Sequence, residues 1–528
     1  MNLARALGSI GGLTLASRVL GLVRDSLFAR FVGAGFASDA FLIAFRLPNM
    51  FRALFAEGAF SAAFIPMFNK KVAERGEGEA EDAGLSRGVA FAEDALSVLL
   101  PVLIAMTVLM ELAAWPVTWA LSGGFNDASE ADFAFAVQLA RITFPYLLLI
   151  SLVSLLGGIL NSLHRFWVAA AAPILLNLCL IVALLLFHDH EPLFTARNQA
   201  IAVTVSGVLQ LAWLIWACRR AGVRLRLKRP TINADVRRLL SLIWPAAAGA
   251  GAMQINLVVS TALAASLLGA GSVSYIYFAD RLNQLPLGLI GIGLGTVLLP
   301  TISAQLGRGD ETAAMDTQNR GMELALFLTL PATVALVVCG APIVAALFQH
   351  GKFTPADTAA TAASLAAFSL GLPSYILVKV LTPGFYARQD TRTPVRYATI
   401  SMAVNLALNL AFILPLRHVG PPLATAIASS VNVAMLWRAL ARRGHFVADA
   451  QLARRAPRLL AAALLMGAVM WFANAPLAPW TTGPSLHRWI AMFALVATGA
   501  LVYFAATFLF GAFHVADVRR LIRRPQQV

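Results

Sequence analysis

Residues 17–68 read SRVLGLVRDSLFARFVGAGFASDAFLIAFRLPNMFRALFAEGAFSAAFIPMF, and this stretch decides the fold. Two long apolar runs, each of a length that suits a membrane helix, are joined at Val32-Gly33-Ala34-Gly35. Charged side chains nevertheless lie inside both runs. On membrane-insertion scales an arginine at the bilayer centre costs roughly 2.5–3.5 kcal/mol, so several in neighbouring helices must meet partners away from lipid. These charged residues are Arg18, Arg24, Asp25, Asp39, Arg46, Arg52 and Glu57.

The whole chain has the composition of a membrane protein. Of its 528 residues, 59% are hydrophobic and only 13% are charged, whereas a soluble domain carries about 25% charged residues. Apolar windows of about 20 residues, the length that crosses the hydrocarbon core, recur from one end to the other. We predict an all-α polytopic membrane protein with fourteen transmembrane helices. The windows lie near residues 8–32, 37–69, 90–118, 133–160, 167–187, 199–218, 239–268, 273–303, 320–341, 358–382, 395–415, 421–441, 456–474 and 488–510.

The net charge of +15 is distributed in a pattern that predicts topology. Lysine and arginine cluster between alternate apolar windows, most densely at residues 219–238. Cytoplasmic loops of membrane proteins are enriched in these two residues, so the pattern places both chain termini in the cytoplasm. A nucleic-acid partner is disfavoured because the basic runs are short loops without interleaved aromatic side chains.

An internal repeat divides the chain. Val32-Gly33-Ala34-Gly35 precedes Arg46-Leu47, and Leu268-Gly269-Ala270-Gly271 precedes Arg281-Leu282, with an offset of about 230 residues. Two six-helix repeats in the same orientation are typical of secondary transporters, whose substrate binds between the halves. We therefore predict two parallel six-helix lobes and two additional C-terminal helices. The predicted segments are 1–219 (first lobe), 220–238 (basic cytoplasmic linker), 239–441 (second lobe) and 442–528 (two further helices and a basic tail).

The membrane-embedded arginines predict an anion site. Four of the arginines in the first two windows (Arg18, Arg24, Arg46 and Arg52) outnumber the three acids Asp25, Asp39 and Glu57. Arg281, with Asp280 beside it, comes from the second half. The planar guanidinium fork suits phosphate oxygens, so a surplus in a wet cavity is typical of a phosphate site. Two alternatives stay open at this point. Arg18 and Asp25 share one helix face and could neutralise each other, and Arg46 could extend to the lipid interface.

Signatures of catalysis are missing from the sequence. It contains neither a Walker motif nor an HExxH zinc motif, and we find no nucleophile constellation. We predict a protein that is not an enzyme and has no resident cofactor. One alternative is a drug/cation antiporter, which would favour acidic residues over arginines. Another is a non-transporting membrane scaffold for lipid-linked enzymes.

Three stretches carry a family resemblance: SRVLGLVRDSLFARFVGAG, SDAFLIAFRLPNMFRALFAEGAFSAAFIP and FADRLNQLPLGLIGIGLGTVLLP. On these motifs the chain resembles the MurJ (MviN) family of lipid II flippases, within the multidrug/oligosaccharidyl-lipid/polysaccharide exporter superfamily. The resemblance implies movement of the undecaprenyl-diphosphate-linked peptidoglycan precursor from the inner to the outer leaflet of the bacterial cytoplasmic membrane, by alternating access. It implies the lipid-linked precursor and membrane lipids as partners, with cell-wall synthesis proteins as candidates.

The resemblance also implies roles for individual residues. Substrate-binding positions of the family match Arg18, Arg24, Arg52, Arg281, Asp39, Glu57 and Ser274. Supporting positions are Asp25, Arg46, Asp280 and Gln284, where some family members carry a glutamate in place of Gln284. The coupling ion, sodium or proton, stays open, and Asp235 and Asp390 are the candidate carboxylates for it.

Overall fold

The computed structural model describes residues 3–56, 59–74, 81–481 and 483–512. All regular structure within these ranges is helical, which confirms the predicted all-α class. The helices up to the middle of the chain are α1 (Leu3–Val32), α2 (Phe36–Ala56), α3 (Ala59–Ala73), α4 (Glu81–Leu112), α5 (Ala114–Ser122), α6 (Glu130–Thr143), α7 (Pro145–Ser162), α8 (Phe166–Leu186), α9 (Pro192–Arg220) and α10 (Ala234–Leu267). The remaining helices are α11 (Ser272–Gly307), α12 (Glu311–Val338), α13 (Gly340–Phe348), α14 (Pro355–Ser369), α15 (Leu372–Tyr386), α16 (Arg392–Leu416), a 3-10 turn (Arg417–Val419), α17 (Gly420–Arg442), α18 (Ala450–Thr481) and α19 (Ser485–Leu509).

The predicted glycine junctions are present in both halves. The first helix ends at Val32 and the second begins at Phe36, with Gly33 at φ +79°. The equivalent junction before α11 has Gly271 at φ +92°. Only glycine enters this left-handed region without steric cost, so each Gly-Ala-Gly motif lets one long helix end and the next begin within a few residues. The left-handed residue is the first glycine of the motif in one copy and the last in the other.

Helix caps show the duplication again. The Ser129 hydroxyl accepts the Asp132 N–H at the start of α6 while the Asp132 carboxylate accepts the Ser129 N–H. Thr354 and Asp357 form the same reciprocal cap at the start of α14. Such a capping box satisfies two N–H groups that the first helical turn leaves without partners. In both halves the capped helix follows a short apolar helix and precedes one with proline in its first turn.

The described residues contain ten continuous helical segments long and apolar enough to cross a membrane. One of them, residues 392–442, contains both α16 and α17. Each of the fourteen predicted windows overlaps helical structure, and residues 57–58 of the second window lie outside the described residues. The chain is therefore a multi-pass helical membrane protein, and the count of fourteen crossings stays a prediction.

The helices form two compact units, Met1–Ser274 and Tyr275–Val528. We call them unit 1 and unit 2. Within unit 1, α1 packs on α8, α2 packs on α6 and α7, and α10 packs on α3 and α5. The packing thus places α10 in unit 1, whereas the repeat assigns it to the predicted lobe at 239–441. The predicted lobe boundaries follow the duplication and stay a prediction.

Unit 2 carries the two helices that lie outside the repeat. The pair α18 and α19 packs on α12 through a buried apolar cluster that includes Cys339, Met466 and Tyr503. The Tyr503 hydroxyl donates to the Phe327 carbonyl oxygen at 2.8 Å, so the one polar group of this ring is satisfied inside the apolar contact.

An ionic network ties α18 to the first half of α12. Glu323 is only 4% exposed. One of its carboxylate oxygens accepts from Arg320 at 2.5 Å, and the other accepts from Arg455 at 3.1 Å. Arg320 also pairs with Asp449, immediately before α18. The carboxylate of Glu323 therefore joins two guanidinium groups from two helices.

We expect Glu323→Gln to lower the thermal stability of the detergent-solubilised protein. An amide removes the buried anion that Arg320 and Arg455 share, and Arg320 keeps Asp449 whereas Arg455 loses its pairing with Glu323. Breaking a pair with a buried member costs roughly 3 kcal/mol. Asp316→Asn is the matched control, because Asp316 pairs with the same Arg320 but has a side chain that is 67% exposed. Differential scanning fluorimetry that gives equal melting temperatures for the two variants would contradict this assignment.

Candidate functional site

Arg24 is held inside unit 1 by two side chains. It is 8% exposed and Asp25 is 2% exposed. Nε and Nη2 of Arg24 donate to one oxygen of Asp25, at 3.0 and 2.6 Å. Nη1 donates to the Asn177 side-chain oxygen at 3.0 Å. The pair neutralises a charge that would otherwise be costly at membrane depth, and the amide of α8 fixes the plane of the guanidinium.

Asn177 is a positioning residue that the site prediction missed. Its Nδ2 donates to the Ser17 carbonyl oxygen at 3.0 Å, so the amide bridges two places on α1. The signal was available in the sequence, because a lone asparagine lies within the apolar run of α8. A polar side chain in such a run requires a buried partner.

The other arginines of the first two helices have different surroundings. The Arg18 side chain is exposed, and those of Arg46 and Arg52 are half-buried. Nη2 of Arg46 donates to the Thr261 hydroxyl of α10 at 2.9 Å. Nε of Arg52 donates to the Asn49 side-chain oxygen one turn earlier, at 3.1 Å. Arg46 therefore contacts a neighbouring helix. This contact argues against the alternative in which the Arg46 side chain extends to the lipid interface. Glu57 lies outside the described residues.

Asp39 and Ser274, two of the predicted substrate-binding residues, contact each other. One oxygen of Asp39 accepts the Gly271 N–H at 2.7 Å, and the other accepts the Ser274 N–H at 2.8 Å and its hydroxyl at 2.5 Å. Both side chains are buried, at 3% and 0% exposure. The Ser274 N–H belongs to the first turn of α11 and the Gly271 N–H immediately precedes it, at the end where the positive side of the helix dipole favours an anion. The carboxylate of α2 thus caps α11, and direct substrate contact by either residue stays a prediction.

Arg281 in unit 2 contacts an aromatic residue on its own helix. Its Nε donates to the Tyr277 hydroxyl at 3.2 Å, and its guanidinium carbon lies 5.2 Å from the centre of the Tyr277 ring. Beside it, Asp280 accepts from the Gln284 amide at 2.5 Å. Gln284 therefore acts as a donor to Asp280 in this chain. A glutamate at that position would instead repel Asp280 unless one of the two were protonated.

Lys379 is a second residue that the site prediction missed. It lies within LPSYILVKVLTPGFY of α15 and is exposed on unit 2. A Cβ atom added to Gly291 of α11 would lie 2.5 Å from the Lys379 Nζ. The glycine therefore leaves room for an ammonium group against the backbone of α11. A lone lysine in an apolar span is a signal for function by itself, so sequence reasoning had the means to find it.

The two candidate carboxylates for a coupling ion are occupied by basic side chains. Asp235 pairs with Lys71 at 2.9 Å, and Asp390 pairs with Arg443 at 2.7 Å. The bonds from Arg443 and Thr393 hold the pKa of Asp390 below its ordinary value. In the described ranges, no group of three or more His, Cys, Asp or Glu side chains could hold a metal ion. The identity of a coupling ion stays open.

A family model described as "Lipid II flippase MurJ" matches residues 28–490. The chain belongs to the MurJ family. A probable lipid II flippase MurJ from Rhizobium tropici is 41% identical over 99% of this chain and 97% of its own length. The lipid II flippase MurJ from Burkholderia cenocepacia is 35% identical, with 98% of this chain and 99% of its own length covered.

Solved structures agree with the family assignment. A lipid II flippase MurJ in an inward closed conformation superimposes with a TM-score of 0.78 and 26% identity, covering 97% of this chain and 99% of that one. A multidrug resistance MATE transporter of the MOP superfamily gives a TM-score of 0.63 at 17% identity, covering 80% and 95%. The MATE similarity extends to the fold alone. The MurJ resemblance stated from the three sequence motifs is confirmed.

We expect Asp39→Asn to destabilise the protein, because an amide cannot accept from both ends of the α11 cap. One N–H of the first turn would then face an NH₂ group, and losing a buried charge-assisted bond costs roughly 2–3 kcal/mol. Ser274→Ala, which keeps both N–H bonds, should cost less. Asp127→Asn, an exposed residue next to Gly269, is the control. If Asp39→Asn abolishes transport at an unchanged melting temperature, the carboxylate acts on substrate and not as a cap.

Proposed function

We propose that this chain is a lipid II flippase, which moves the undecaprenyl-diphosphate-linked peptidoglycan precursor from the inner to the outer leaflet. Full-length similarity to MurJ proteins is the observation that carries the proposal. The chain moves its substrate across the membrane and leaves its covalent bonds intact, so it is a transporter and not an enzyme.

Phosphate recognition is the chemistry that the arginines supply. A diphosphate carries its charge on oxygens that accept from guanidinium groups in pairs, and these bonds strengthen away from bulk water. The buried contacts with Asp25 and Asn177 hold the Arg24 guanidinium in one orientation before substrate arrives. A fixed donor loses less side-chain entropy on binding than a mobile one. We propose that Arg18, Arg24 and Arg52 contact the diphosphate and that Arg281 contributes separately from unit 2.

The proposed setting is the bacterial cytoplasmic membrane, with both termini in the cytoplasm. Clusters of lysine and arginine between alternate spans support this orientation. In that setting the precursor is loaded from the cytoplasmic leaflet, and the site must alternate between the two sides. The affinity must fall in the outward state, because a site equally tight on both sides would retain its substrate.

The alternative of a drug/cation antiporter is favoured only by the MATE-like fold. A cation pump would use acidic groups where this chain places arginines. Purified protein that moves labelled lipid II and leaves a cationic dye gradient unchanged would separate the two functions.

We expect Arg24→Ala to reduce lipid II flipping at least about tenfold, because a buried charged donor to a phosphate is worth roughly 1.5–3 kcal/mol. The measurement is leaflet accessibility of labelled lipid II in proteoliposomes, with Arg281→Ala tested in parallel. Arg30→Ala is the control, since Arg30 lies on the same helix, is exposed and faces the Phe31 ring. Full flipping by both Arg24→Ala and Arg281→Ala would rule out the arginine site.

The membrane potential should drive the outward step. Moving one negative charge outward, away from a negative interior, releases about 2.3 kcal/mol per 100 mV. We therefore expect a valinomycin-imposed, inside-negative potassium diffusion potential to raise the fraction of lipid II in the outer leaflet, and the opposite polarity to lower it. Equal fractions at both polarities would show that the potential does not drive transport.

A further inference from the structure

Unit 1 contains a leucine-lined groove that the flippase function does not use. Its volume is about 570 Å³, within the range of sites that bind small molecules. Leu96 of α4 and Leu155 of α7 form buried parts of its wall, and Ile215 of α9 lies at its exposed edge. The segment that follows α9 closes one side with Val223 and Leu227.

Two arginines lie at the mouth of this groove. Arg219 ends α9 and Arg224 lies in the following segment, and both line the groove with exposed side chains. Within the part of the chain that the structure describes, neither has a carboxylate within 4.0 Å. The groove therefore combines apolar walls with a cationic rim.

The neighbouring cation, by contrast, is neutralised. Lys228 pairs with Glu93 at 2.9 Å and with Asp94 at 3.3 Å. The backbone N–H of Arg226 donates to the other oxygen of the Glu93 carboxylate at 2.9 Å. These bonds fix the segment against α4, so that its apolar side chains cover the groove. Glu93 and Asp94 thus hold the segment through Lys228 and Arg226 and do not neutralise the two rim arginines, so the rim stays positive.

Aromatic residues set the level of the rim in the membrane. Trp213 and Trp216 of α9 stack with ring centres 5.1 Å apart, and Trp167 of α8 contacts Trp213 edge-on. Tryptophans of this kind lie at the headgroup level. The Arg220 guanidinium lies 4.5 Å from the centre of the Trp216 ring. Arg219 lies within one turn of Trp216. In the orientation proposed above, on which this inference rests, the rim then lies among the phosphates of the cytoplasmic leaflet and the leucines lie deeper.

We propose that this groove binds one anionic phospholipid of the cytoplasmic leaflet, with an acyl chain along the leucines and the phosphodiester between Arg219 and Arg224. The walls suit an acyl chain because their side chains are apolar apart from Cys218 and the two rim arginines. The rim suits a phosphodiester because two guanidinium groups bind its oxygens in pairs. The bound lipid is a membrane component and not the transported precursor.

The test is native mass spectrometry of the full-length protein in detergent, titrated with phosphatidylglycerol. We expect the double variant Arg219→Gln/Arg224→Gln to bind at least about tenfold more weakly, since each cation near an anionic headgroup contributes about 1 kcal/mol. The control is Arg237→Gln/Arg238→Gln, which removes the same charge from exposed positions on α10 that do not line the groove.

A second variant tests the walls independently. Leu152→Trp fills the groove from its half-buried side, and we expect it to weaken binding while the protein elutes and melts as the unsubstituted chain does. Phosphatidylcholine with the same acyl chains should bind weakly to every form. The proposal is overturned if Arg219→Gln/Arg224→Gln binds phosphatidylglycerol normally, if the α10 control weakens binding equally, or if phosphatidylcholine or glycerol 3-phosphate competes on equal terms. None of these measurements depends on flipping.

Discussion

Charge at membrane depth is the constraint on which this structure depends. An ionised side chain in the apolar interior must be paired and hydrogen-bonded, or its free energy becomes prohibitive. The chain meets this constraint in three ways. Arg24 has a carboxylate beside it in sequence, Asp39 has a helix N-terminus, and Glu323 has guanidinium groups from two helices. Each arrangement fixes a charged side chain and also joins two helices: α1 to α8, α2 to the start of α11, and α12 to α18.

The duplicated halves share the same helix caps and glycine junctions but carry different polar residues. Capping boxes at Ser129 and Thr354 begin equivalent helices, and a Gly-Ala-Gly motif with a left-handed glycine precedes both α2 and α11. The polar residues placed on this common frame differ. The first half carries most of the embedded arginines, whereas the second half contributes Arg281 and Lys379. A repeated scaffold therefore supports an asymmetric distribution of charge between the two halves.

The helical class, the glycine junctions and the family could be predicted from the sequence, because apolar length and short motifs are local properties. The pairing of Arg24 was harder to anticipate. Adjacent residues point to different helix faces. The Arg24 side chain is long enough to curve around the helix and donate to the carboxylate of Asp25, the next residue. The capping role of Asp39 was also hidden, since its partners Gly271 and Ser274 are more than 200 residues away in sequence. Lys379 is recognisable from the sequence alone, as a single lysine in the apolar segment of α15.

The bond between neighbours Arg24 and Asp25 has a consequence for biogenesis. Both residues emerge from the ribosome together, so Asp25 can neutralise the charge of Arg24 when the first helix enters the translocon. Asn177, the third member, is synthesised 153 residues later than Arg24, which at about 5–20 residues per second is a delay of roughly 8–30 s. During that interval the Asp25 carboxylate is available to Arg24, whereas the amide of α8 has not yet been made. Adjacency in the sequence thus gives Arg24 a neutralising carboxylate before its tertiary partner Asn177 has been synthesised.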